Sequence, residues 1–187
     1  VVPYAAGGEK AGMLLFSAKG LIAFNPATGE AASELPWKSS RDVNAADPVV
    51  SGTRIIVSSA AGTAMIEPSA DGSGVDMIWE QKDLKWYFNP GVLLGDHLYS
   101  LHGTTHRPTD LMCVDARTGD IKWDVPGFGS GGLMAAGNTV IVFDNGTLTL
   151  FDADPSGYKP RHTQKILEGK CWTSPVLANG RIYCRNA

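Results

Sequence analysis

The chain has 187 residues, of which 43% are hydrophobic and 19% charged, with 22 glycines, 11 prolines, a net charge of −3 and a pI near 5.8. That length makes one ordinary domain with a sizeable core, and many turn formers over moderate hydrophobicity suit short strands joined by tight turns. The charge balance and the lack of any Lys/Arg run argue against a nucleic-acid partner, and no apolar stretch approaches the roughly 18 residues of a membrane span.

The chain opens at Val1 with no methionine and no visible signal peptide, which reads as a processed or excised segment and leaves the compartment open. Val1–Tyr4, a Gly7-Gly8 turn and Met13–Ser17 form a first unit of apolar run, turn and apolar run. The same order returns at Pro48–Val57 about Gly52, at Pro90–Tyr99 about Gly95, at Gly132–Val142 about Gly137 and at Pro175–Tyr183 about Gly180. These four turn glycines are spaced 43, 42 and 43 residues apart. A period of about 40–45 residues is that of one propeller blade.

Strands can be read out within the third period. Val92–Leu94 and His97–Leu101 make a hairpin about Gly95-Asp96, Asp110–Asp115 supplies a third strand, and Ile121–Val125 a fourth after the turn Ala116–Gly119. Gly and Asn at the two-residue turns, as in Gly137-Asn138 and Asn179-Gly180, supply the positive φ that such turns demand. No window holds apolar residues at i, i+3, i+4 and i+7, so almost no helix is expected. The reading is an all-β propeller of four-stranded antiparallel blades at about 1–40, 41–85, 86–128 and 129–170, with a partial blade at 171–187. A blade buries its faces only against neighbours. The segment is therefore expected to be part of a larger ring, with an exposed strand edge at each end.

The third blade carries Cys113-Val-Asp115-Ala-Arg-Thr118-Gly119-Asp-Ile-Lys-Trp123. The first holds Ala23-Phe-Asn25-Pro-Ala-Thr28-Gly29, with Ser33 where the tryptophan of the third blade stands. The second blade keeps only Trp79, and the fourth, Leu150-Phe-Asp152-Ala-Asp-Pro, keeps only the aspartate. In this pattern Asp or Asn caps a turn through its side chain while Gly takes the left-handed position. The Trp lies between blades and buries a large area. The pattern resembles the blade-end signature of the PQQ-like (quinoprotein-type) propeller repeats, and Asp42–Pro48 and Gly169–Val176 resemble the bacterial, BamB-like members. The resemblance implies an eight-bladed ring, exported to the periplasm or cell surface, of which this chain is about half.

The same resemblance covers both enzymes and inert scaffolds, so it leaves function open. PQQ-dependent alcohol dehydrogenases of this type use adjacent cysteines, a Trp platform, an Arg, Ca²⁺ and an Asp base. The cysteines here, Cys113, Cys171 and Cys184, are scattered, make no CxxC, and read as free thiols. The first reading is therefore a non-catalytic scaffold that needs no cofactor and presents its loops to a protein or carbohydrate ligand. The rest of the propeller, or a second copy, would close its ring. The alternative is a PQQ- and calcium-dependent alcohol dehydrogenase.

Two lead-in segments before innermost strands are the candidate ligand surface: Trp86, Tyr87 and Asn89 in Asp83–Asn89, and Lys170 and Trp172 in Lys170–Thr173. Either these tryptophans line the channel mouth or they close gaps between blades. His97, His102 and His106 read as a surface loop, because strand-to-loop spacing does not bring two rings to one face. Asp42, Asp47, Glu67, Glu80 and Asp83 lie at strand ends and turns, where capping and solvation explain them. Asn145-Gly-Thr147 is formally a glycosylation sequon and reads as a turn.

Overall fold

The computed structural model describes residues 1–6, 10–39, 42–69, 74–103 and 109–187. The Gly7-Gly8 turn and His106 lie outside these described residues. Eighteen strands and no α-helix are found among the described residues. Strands β1 (Val2–Ala6), β2 (Lys10–Ser17), β3 (Gly20–Phe24) and β4 (Ala31–Pro36) form one antiparallel sheet in sequence order. Strands β5 (Val49–Ser51), β6 (Arg54–Ser59), β7 (Gly62–Pro68) and β8 (Val75–Gln81) form the second. The third holds β9 (Val92–Leu94), β10 (His97–His102), β11 (Thr109–Asp115) and β12 (Ile121–Phe128). The fourth holds β13 (Gly132–Ala136), β14 (Thr139–Asp144), β15 (Thr147–Asp152) and β16 (Pro160–Lys165). A two-stranded sheet of β17 (Val176–Ala178) and β18 (Arg181–Tyr183) follows.

Sequential antiparallel pairing of four strands is the up-and-down order of a propeller blade. The repeat shows in the backbone as well. Gly52, Gly95, Gly137 and Gly180 turn the first hairpin of four successive sheets with φ of 61°, 60°, 57° and 72°. That is left-handed backbone, which costs a residue with a Cβ and costs glycine little. Each complete sheet also carries a register shift between its third and fourth strands, at Ala23/Phe24, Met65/Ile66, Cys113/Val114 and Leu150/Phe151. The bulge falls beside the signature tryptophan position and steepens the local twist.

Burial follows strand position. Ile55–Val57, Leu98–Leu101 and Val140–Phe143 on second strands are buried runs, whereas β16, Pro-Arg-His-Thr-Gln-Lys, is exposed throughout. A polar, proline-started outer strand blunts an edge that could pair with another chain.

The chain divides into two compact units, Val1–Phe88 and Asn89–Ala187. In the first, Leu14, Leu21, Ala23, Ile55, Val57 and Ile66 form a core between the two sheets, with Tyr4, Leu35 and Val75 against it. In the second unit the same strand positions supply Tyr99, Leu111, Cys113, Val140, Val142 and Phe151, with Trp123 and Tyr158 against them. Both cores are seams between consecutive blades. Their common source is the sequence repeat.

Candidate functional site

The signature turns are built from side-chain caps. Asn25 Oδ1 accepts from Ala27 N at 2.9 Å, and its carbonyl accepts from Gly29 N at 2.8 Å. Asp115 repeats this with Arg117 N at 3.0 Å and Gly119 N at 2.8 Å. The hydroxyl of Thr28 accepts from Glu30 N at 3.3 Å, and that of Thr118 from Asp120 N at 3.2 Å. Gly29 and Gly119 take φ of 76° and 80°. The third-blade turn adds a guanidinium, with Arg117 Nη2 donating to Asp115 Oδ2 at 3.1 Å. That bond, outweighing partial burial, holds the Asp115 carboxyl down at about 2.

Trp123 stands opposite Cys113 on β12 and meets Tyr99, Phe151 and Tyr158 at ring-centroid distances of 5.9, 6.3 and 6.0 Å. Its indole N–H donates to Asp154 O of the next blade at 2.8 Å. The ring is thus an inter-blade wedge with its polar tip satisfied. Trp79 holds the corresponding place on β8, half-buried opposite Met65.

The lead-in residues do not share one environment. Trp86 is 1% exposed, its backbone N–H bonded to Ser58 Oγ at 3.0 Å. Ser58 in turn bonds Thr63, whose hydroxyl donates to Leu84 O at 2.7 Å, so the segment before Trp86 is locked onto the β6–β7 turn. Hydroxyls on the neighbouring hairpin thus hold the Trp86 backbone, and its ring is buried with the indole N–H unpartnered among the described residues. Tyr87 is half-buried and makes an edge contact with Phe88 at 4.6 Å.

Asn89 is a hub within the second unit. Its amide donates to Gly131 O at 2.8 Å and to Trp172 O at 3.1 Å, and its carbonyl accepts from Ser174 Oγ at 3.3 Å. Asn89, Gly131 and Ser174 occupy one repeat position in three successive lead-ins, so one side chain ties them together. This use takes up the Asn89 side chain structurally.

Trp172 and Lys170 are on the surface. Trp172 is 48% exposed with Lys170 Nζ 5.2 Å from its ring centroid, a cation–π contact. With Thr173, Arg185 and Asn186 they line a recess of about 230 Å³. Sequence reasoning passed over Arg185, which the pairing of Ala187 N with Lys170 O brings alongside.

Other groups are placed as follows. Cys113 and Cys171 are buried free thiols, and burial pushes Cys113 up to about 11. Asp144, buried beside Gly129 N–H, is raised by burial, with one carboxylate oxygen unpartnered. His97 and His102 mark the two ends of β10. Asn145-Gly146 is a two-residue turn between β14 and β15, with φ of 46° and 78°. Among the described residues no group of three or more His, Cys, Asp or Glu is placed to hold a metal ion. The three cysteines of the chain are not adjacent in sequence.

The decisive comparison is one of sequence. The family described as outer membrane protein assembly factor BamB matches over residues 4–125 of the 187. The chain belongs to the BamB family.

Solved structures agree on the fold. BamB from Moraxella catarrhalis superposes over 98% of this chain with a TM-score of 0.71 at 16% identity, and the chain spans 55% of that protein. The quinohemoprotein alcohol dehydrogenase of Comamonas testosteroni superposes over 98% with a TM-score of 0.70 at 12% identity, and there the chain spans 38%. The chain thus covers about half of one neighbour and just over a third of the other. At such identities the likeness speaks for the fold alone. Comparison with curated protein sequences finds no match. No helix among the described residues is long and apolar enough to cross a membrane.

Proposed function

We propose that this BamB-family segment is a non-catalytic binding scaffold of an exported, periplasmic or extracellular protein, and that it recognises a protein through the Trp172 recess. The observation that carries the scaffold reading is the family match over residues 4–125, and the Trp172 recess, an indole under Lys170 with Arg185 beside it, is the surface proposed for the partner. A large amphipathic ring flanked by cations is the kind of anchor that dominates protein interfaces. The family's name supplies the context, assembly of outer membrane proteins, and two cations favour an acidic segment on the partner. In the parent protein further blades, or a second copy, complete the ring.

A photo-crosslinking residue at position 172 in the full-length protein tests this in cells, with exposed position 161 as control. A discrete protein adduct at 172 and none at 161 supports the reading. Equal labelling at both positions, or an adduct with glycan only, overturns it. The alternative, a PQQ- and calcium-dependent alcohol dehydrogenase, is checked by titrating the full-length protein with PQQ and Ca²⁺ and assaying dye-linked alcohol oxidation. Tight binding with turnover would replace the scaffold reading.

A further inference from the structure

The two seams described above differ in what fills them. In the second unit the signature tryptophan, Trp123, packs against Tyr99, Phe151 and Tyr158. In the first unit Ser33 stands in that place, opposite Ala23 as Trp123 stands opposite Cys113. Leu14 replaces Tyr99 and Ile66 replaces Phe151 at matching positions of the two cores. Aromatic volume is missing at three neighbouring points, and the backbone repeat has not collapsed to absorb it. A recess of about 160 Å³, half open to solvent, lies here with Ser33 and Leu14 on its wall.

The other walls are apolar: Leu14, Leu21 and Leu35 from the first sheet, Ile55, Pro68 and Val75 from the second. Leu14, Leu21 and Ile55 are at most 4% exposed, so this wall is core and not loop. Tyr4 closes one side, its ring lying so flat on Gly12 that a Cβ there would collide with it. Enclosed apolar cavities of about 150 Å³ lined by aliphatic side chains take up benzene-sized rings, and this recess matches them in volume and lining while its open side gives a ligand a way in. Two blades further along, the chain fills the corresponding seam with its own indole.

We propose that the seam between the first two blades is a binding site for a small, uncharged aromatic molecule of indole size. The ligand sits where Ser33 leaves the signature tryptophan's place open. The site favours uncharged rings, since a charge turned toward the aliphatic walls would lose its hydration without a partner. It is distinct from the Trp172 recess and does not depend on that reading.

Methyl NMR of the whole chain, titrated with indole, tests the site. Saturable shifts are expected at Ile55 and Val75, with Val140 and Val142 of the Trp123-filled seam unmoved. Ser33→Trp is expected to abolish those shifts and to raise Tm by about 2–4 °C for each kcal/mol gained. Ser33→Leu, a smaller filling, serves the same purpose if the larger ring prevents folding. No saturable shift in the wild type, equal shifts at both seams, or shifts that survive both fillings would each overturn the proposal.

Discussion

Trp123→Ala removes the wedge between the third and fourth blades. The variant deletes the three ring contacts and leaves Asp154 O without its indole donor. Burying and then truncating a tryptophan costs about 3–5 kcal/mol, and half-burial of Trp123 puts the ring near the low end of that range. The lost hydrogen bond adds about 1 kcal/mol, which suggests a total of about 3–4 kcal/mol. Trp123→Phe keeps an aromatic plate against Phe151 and Tyr158 and loses mainly the N–H donor. It should cost about 1–2 kcal/mol. Urea unfolding followed by near-ultraviolet circular dichroism measures both, and the ordering wild type, Phe, Ala is the test. A Trp123→Ala loss below about 1 kcal/mol would place the tryptophan among ordinary surface substitutions. The account of the seam as held by its aromatic cluster would then be refuted.

Asn89→Ala removes three hydrogen bonds at one point and is expected to destabilise by about 2–3 kcal/mol, with Asn89→Asp keeping only the bond from Ser174; thermal unfolding reads both. The Asp115 carboxyl sits at about 2, below its ordinary value, so its contribution is full at neutral pH and is lost as pH falls through about 4 toward 2. With Arg117 more than half exposed, solvent screening keeps that contribution small, and an Arg117→Ala variant should show a shallower acid limb in a Tm-against-pH series. Asp144 behaves in the opposite sense: burial raises it, so its ionised form opposes folding at neutral pH. Asp144→Asn should therefore raise Tm at pH 7 and lose that advantage toward pH 4. In native thiol labelling Cys184, only partly buried, should react before Cys113 and Cys171, a ranking that mass mapping of alkylated peptides checks.

The blades were legible in the amino-acid order alone. A repeat of 42 or 43 residues, read from turn glycines, put the first hairpins where they are found, because left-handed backbone at a tight turn is a local demand that glycine meets. The Asp/Asn-x-x-Thr-Gly signature was equally legible. Its caps at Asn25 and Asp115 bridge only two to four residues and need no distant neighbour.

The burial of the lead-in tryptophans and the open seam depend on contacts between distant strands. Trp86 and Trp172 sit in similar sequence surroundings, yet one is 1% exposed and the other 48%. At the first, Ser58 and Thr63 of another hairpin hold the lead-in down. The hydrogen bonds of Asn89 could not be read from the sequence either, since its partners Gly131 and Ser174 are far away along the chain. Ser33 was visible as a missing tryptophan, but whether the seam would close or stay open depended on side chains such as Leu14 and Tyr4 that line it from other strands. Local chemistry fixes turns and strands. Burial is set by whichever side chains the fold brings across from other strands, and a single sequence does not say which those are.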